Sequence, residues 1–271
     1  AQPCPHIVST SPISPNVTKF ENSMKRFRLL MAITLLFVCG SLIAFAAAPA
    51  NISDNATVDD IVQEADAKIK LLGGLLETPE KFEAAKDKDA WQAFGVLSVL
   101  GQSLAEHPEQ ATAGFNGAAL RDAALKYSGR KATYAEAQAA LEAVNAAREG
   151  EGEGTVDFAW NKLIRMHPMM EEINARNAKL VPILKKPRGK PEETRHATTI
   201  ALLSLAMEID THEVKNEADI PTYKALAVEF RTKMLGVASA VREKDAKTAR
   251  ELFDQANAAC DNCHEKFRDA K

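Results

Sequence analysis

Along most of the chain beyond residue 56, apolar residues recur at intervals of three and four. Ile61, Ala65, Ile69 and Leu72 form one such stripe, the pattern of a helix with one buried face. Read between its breakers, this pattern predicts helices at about 57–77, 80–106, 112–128 and 132–149, with Pro79, Pro108 and Ser128-Gly129 as punctuation. From Glu149 to Gly154, Glu and Gly alternate, and like charges with free backbone oppose helix there. A second set of four helices follows at about 156–184, 194–213, 221–243 and 245–269. Its clear breaks are Lys185 to Glu193, with Pro187 and Pro191, and Asn216 to Pro221. The expectation is an all-α fold of two tandem four-helix bundles, over 57–149 and 156–271. Abundant Ala, Leu, Glu, Lys and Gln, with few Gly and Pro in 271 residues, point the same way.

The two halves also resemble each other residue by residue. Thr57-Val58-Asp59 opens one and Thr155-Val156-Asp157 the other. Val96 to Leu100, leading to His107, parallels Ala201 to Leu205, leading to His212. Asn145-Ala146-Ala147 matches Asn257-Ala258-Ala259, so that Arg148 falls where Cys260 stands and Glu151 where Cys263 stands. A duplication accounts for these matches, against a background of chance similarity among Ala-rich helices.

The first fifty residues read differently. Lys25, Arg26 and Arg28 precede an apolar run from Leu29 to Phe45, and Ala44-Phe45-Ala46 supplies small residues at the positions a signal peptidase requires. Residues 24–46 are thus expected to be a cleaved signal peptide, and residues 1–23 an extension or a mis-assigned start. An uncleaved anchor is the alternative, and it is the one route by which the chain would contact a membrane. Removing residues 1–46 takes away four basic side chains and one acidic one, moving the net charge from −3 to about −6. That mild acidity argues against a nucleic-acid partner.

Of four cysteines, Cys4 and Cys39 lie in the segment expected to be lost. The remaining pair sits in Cys260-Asp261-Asn262-Cys263-His264. A disulfide across two intervening residues would close a tiny loop and stabilise little. A zinc site would need a fourth ligand and would use His264 directly beside Cys263, which is not finger spacing. Covalent haem attachment accounts for every position: two thiols add to the haem vinyl groups and the adjacent imidazole becomes the proximal iron ligand. An exported chain agrees with this chemistry, and haem c is the one cofactor expected.

A CxxCH on the last helix, followed by Glu265-Lys266-Phe267-Arg268 close to the C-terminus, resembles the class II c-type cytochromes, the cytochrome c′ and c556 group. Their pattern is CxxCHxxFR or CxxCHxxYR on the fourth helix of an up-down-up-down bundle. The resemblance covers 156–271, and reaches 57–149 only through the internal repeat. It implies two up-down bundles, of which the C-terminal one binds haem, in a periplasmic protein.

The sixth coordination position decides the function. If the first and last helices of the second half run antiparallel, with Asp245 facing about Leu184, His264 is level with residue 165 and Cys260 with residue 169. That register, good to about one turn, leaves Met166, His167, Met169, Met170 and His212 as candidates. The resemblance implies an Arg-x-x-x-Met or Arg-x-x-x-Leu segment here, whose spacing Arg165 and Met169 match, making Met169 the carried-over ligand. Pro168 inside the segment departs from the family pattern. The apolar stripe Leu163, Met166, Met170 and Ile173 points equally to Met170. His212, at the end of the next helix, is a rival. Arg268 is placed to neutralise a haem propionate, and Phe267, Phe253 and Trp160 to pack near the porphyrin or in the core.

Electron transfer through a haem with Met/His coordination is the expected function, with unidentified redox proteins as partners. Binding of NO or CO at a five-coordinate haem is the alternative. A haem enzyme lacks an acid–base set beyond His167 and His212. The haemless half is expected either to dock a partner or to mediate a homodimer.

Overall fold

The structure, a computed structural model, describes residues 48–268. The predicted signal segment and N-terminal extension lie outside the described residues. The chain is all-α, and the described residues form nine α-helices with short 3₁₀ turns and no strand. All of them belong to one compact unit, Ala46–Lys271, and both halves contribute to a single continuous hydrophobic core.

In the first half, α1 (Val58–Leu75) starts at Thr57, whose hydroxyl accepts from Asp60 N–H while the Asp60 carboxylate accepts from Thr57 N–H, a reciprocal cap. The expected helix over 80–106 divides into a short α2 (Pro79–Ala85) and α3 (Asp89–Glu106). After these come α4 (Gly117–Leu125) and α5 (Tyr134–Arg148). Where α3 crosses α4 the backbones nearly touch. A Cβ on Gly101 would lie 2.5 Å from Arg121 N and 2.7 Å from Gly117 O, so glycine is required there.

The second half comprises α6 (Met166–Ile183), α7 (Pro191–Ile209), α8 (Ile220–Arg242) and α9 (Ala246–Phe267). Its first helix begins ten residues later than the pattern predicts. Pro168 has no N–H to donate, which costs nothing in a first turn but breaks a helix interior. Residues 155–165 instead run across the first half, with their backbone carbonyls satisfied by its side chains. Arg121 donates to Thr155 O at 2.8 Å, Gln102 donates to Val156 O at 2.8 Å, and the Ser98 hydroxyl donates to Leu163 O. Trp160 is fully buried and donates its indole N–H to Glu106 at 2.8 Å. Thr57 and Thr155, aligned by the repeat, therefore do different work: one caps a helix and the other lies in this strap.

A buried cluster of charges joins the halves. Lys68 of α1 donates to Glu172 of α6 at 2.6 Å, and Arg176 pairs with Glu172 at 2.8 Å and with Glu64 of α1. Arg195 of α7 approaches the other Glu64 oxygen at 2.9 Å. Glu64, Lys68, Glu172 and Arg176 are each at most 8% exposed. Burial alone would push the Glu172 carboxyl up, but the charges of Arg176 and Lys68 outweigh it and hold it below the usual carboxylate range.

Removing one member leaves its partners buried and uncompensated. Arg176→Ala is expected to cost about 3–5 kcal/mol, read as a lower urea midpoint. Lys81→Ala, on the exposed pair with Glu77, leaves that midpoint where it is.

His196 lies beside this cluster with its Nδ1 buried and unbonded. Burial, then the charges of Arg176, Lys179 and Arg195, hold its pKa down to about 4 from 6.5, against the opposing pull of Glu172. The unfolded imidazole takes its proton near 6.5 and the folded one resists it to about 4. The unfolded chain thus binds more protons in that window, and stability present above it is lost as pH falls through it. With solvent screening the loss is on the order of 1 kcal/mol. In unfolding curves between pH 7 and 4, His196→Gln is expected to flatten this slope.

Candidate functional site

Helix α9 is capped by Asp245, whose carboxylate accepts from the N–H groups of Lys247 and Thr248. One stripe of it, Ala249, Phe253, Ala256 and Ala259, is buried. At the same three-and-four spacing that stripe continues through Cys260, Cys263 and Phe267, with His264 beside them. These four residues are only partly buried, because the packing opens there. A cavity of about 520 Å³ separates this end of α9 from the start of α6.

Cys260, Cys263, His264, Phe267 and Arg268 line the cavity from α9 and its end. Met166, His167 and Met170 line it from α6. Its floor is aromatic and apolar: Phe230 and Tyr223 of α8 and Met207 of α7. Tyr223 is fixed at both ends, donating its hydroxyl to Met207 O at 3.1 Å and meeting the Phe267 ring edge-on at 5.4 Å.

The methionines separate by helical phase. Met166 and Met170, four apart, share the cavity face. Ile173, a turn on, lines the cavity with them, whereas Met169 is fully buried beside Glu172, Arg176 and Leu180, which α6 also carries into the core. The residue carried over by the family resemblance therefore lies off the cavity lining, because α6 turns that side toward the first half. Pro168 sits in the first turn of the same helix.

His212 follows the end of α7. Its Nδ1 lies 2.5 Å from Asp210 and its Nε2 lies 3.0 Å from Glu213, and it does not line the cavity. Those carboxylates raise its pKa, Asp210 through its hydrogen bond most of all. Its counterpart in the repeat, His107, is buried instead, with Nε2 3.3 Å from Ala56 O and Nδ1 accepting from Glu109 N–H. Arg268 stands exposed at the cavity, whereas Phe253 and Trp160 pack in the core.

The donor set discriminates among ligands. Both thiols are free rather than joined. The His264 imidazole bonds no described residue. Among the described residues, no group of three or more His, Cys, Asp and Glu side chains is arranged to hold a metal ion. A porphyrin brings four nitrogens of its own and asks the protein for one or two ligands. Two thiols and an imidazole on one helix face, opposite two thioethers across a space of about 520 Å³, fit that requirement.

The sequence missed the contribution of Tyr223, Phe230 and Met207. Their apolar spacing in α7 and α8 gives no sign that they meet a cavity rather than another helix. Also among the described residues, no helix is long and apolar enough to cross a membrane. Comparison with family models, with curated proteins and with solved structures gives no match for this chain.

Proposed function

We propose that the chain is a periplasmic monohaem cytochrome of the class II type that transfers electrons and is not a catalyst. The observation that carries this reading is the cavity itself, where Cys260, Cys263 and His264 face Met166 and Met170. Cys260 and Cys263 would hold the haem through thioether bonds, with His264 and one of Met170 and Met166 as the residues that would ligate its iron. Haem c supplies a one-electron iron couple when bound.

The chain's own residues do the rest. Phe230, Tyr223 and Phe267 give the cavity an apolar lining, which raises the cost of net charge there and so favours the reduced state. A thioether ligand acts in the same direction. Arg268, exposed at the cavity's edge, offers a guanidinium to a propionate. The partner proteins are redox proteins.

The test is the absorption spectrum of the mature protein, produced with haem-attachment machinery outside the cytoplasm. One covalent haem with a low-spin ferric spectrum is expected, and Cys260→Ala with Cys263→Ala abolishes the covalent attachment. Met166→Ala and Met170→Ala, made singly, identify the distal ligand: the variant that loses it turns high-spin and takes up CO. A wild-type spectrum already high-spin, with avid CO uptake, replaces electron transfer by gas binding. No haem at all overturns the cytochrome reading.

A further inference from the structure

Trp91, on α3 of the half that lacks the CxxCH, is only partly buried, and its indole N–H bonds no described residue. It rests on Gly129, which adopts a left-handed φ of 71°. A Cβ there would lie 3.0 Å from the indole ring. The guanidinium groups of Arg130 and Arg165 approach the ring centroid to 5.6 and 6.0 Å. A recess of about 210 Å³ opens beside the indole, bounded by Ser128, Lys162 and Arg165 among others. Arg130, Lys162 and Arg165 are exposed, and none pairs with a carboxylate among the described residues. In a chain of net charge −3, three unpaired cations around one aromatic are not a neutral mixture of surface charge.

The patch adjoins the cavity. The Trp91 ring lies 6.4 Å from that of His167, and His167 is one of the residues that line the cavity, as Met166 and Cys263 are. Glu171, 3.7 Å from His167, also accepts from Gln92, so its negative charge is partly engaged within the fold. Asp87 and Asp89 precede Trp91 in sequence, alternating with Lys86 and Lys88, so that this segment adds no net charge.

We propose that this patch is the docking surface for an acidic redox protein, with Trp91 as the contact residue and His167 the link to the cavity. The proposal rests on the cytochrome reading above. Tryptophan and arginine dominate the energetically decisive positions of protein interfaces, and an aromatic already ringed by guanidinium groups is prepared for a carboxylate-rich surface. The recess has room for one carboxylate side chain beside Lys162 and Arg165. Unpaired cations speed encounter with an anionic partner, in a way that salt suppresses.

The experiment uses the mature, haem-loaded chain and two readouts. Binding of poly-L-glutamate is followed by calorimetry, and oxidation by ferricyanide by stopped flow, each from about 20 to 500 mM salt. Arg130→Glu with Arg165→Glu is expected to weaken poly-glutamate binding and to slow ferricyanide oxidation about tenfold at low salt, with both differences fading at high salt. Lys185→Glu with Lys186→Glu, the same charge change beyond the far end of α6, is expected to alter either quantity less than twofold. Trp91→Leu slows oxidation at every salt concentration while the absorption spectrum stays unchanged. A haem-loaded chain indifferent to Arg130 and Arg165, or one equally sensitive to Lys185 and Lys186, overturns this inference alone. A chain that takes up no haem overturns the cytochrome reading and this inference with it.

Discussion

The architecture depends on the ion cluster of Glu64, Lys68, Glu172 and Arg176. Charges this deeply buried are costly to desolvate and add little net stability over apolar packing, but they tolerate almost no displacement, because each must meet its partner. The effect is geometric. Lys68 and Glu64 on α1 fix the rotation and height of α6, since Glu172 and Arg176 project from one stripe of it. Met169 lies on that buried side of α6 with them, while Met166 and Met170, on the adjacent part of the helix surface, line the cavity. The choice of side chains that face the thiols is therefore made by an interaction between the two halves of the chain.

The same cluster explains why sequence reasoning reached some features and not others. Helices and most breaks were legible because each is a local signal, apolar spacing and Pro and Gly positions, and the CxxCH is equally local, two thiols and an imidazole within five residues. The failures are all long-range. Residues 155–165 carry apolar side chains at helical spacing, yet their carbonyls bond Arg121, Gln102 and Ser98, more than thirty residues away in each case. Glu64, Lys68, Glu172 and Arg176 read as ordinary solvated charges on amphipathic helices, and nothing in either half alone indicates that they meet. The phase of α6 follows from that meeting, so no local signal showed that Met169 would lie off the cavity lining.

The two halves share a centre and differ at their ends. The central helices α3 and α7 are buried on nearly all sides, as the matched runs Val96–Leu100 and Ala201–Leu205 imply, and their packing carries the core from one half to the other. The halves diverge immediately after the matched Asn-Ala-Ala. In α5 the next residue, Arg148, is the last of the helix and pairs with Asp66 at 2.6 Å, closing that half against itself. In α9 the corresponding position is Cys260, and the helix runs on to Phe267 along an open cavity. One end is finished with a surface ion pair; the other is left with free thiols and an unbonded imidazole.

That contrast gives the first half a physical role. In an isolated bundle, α6 and α9 would be free to close on one another and bury Met166, Met170, Cys263 and Phe267 directly, since burying each such side chain is worth about 1.5–3 kcal/mol. Here α6 is held from behind by α1 through the ion cluster and by α3 through the Gln92–Glu171 hydrogen bond of 2.8 Å. Closing the cavity would require breaking contacts whose loss exposes buried charge, a larger penalty than the apolar gain. The first half thus acts as a brace that keeps the α6 wall of the cavity at a fixed distance, with Trp91 on the braced side reaching the same wall through His167. A half with no thiols of its own is in this way part of the site.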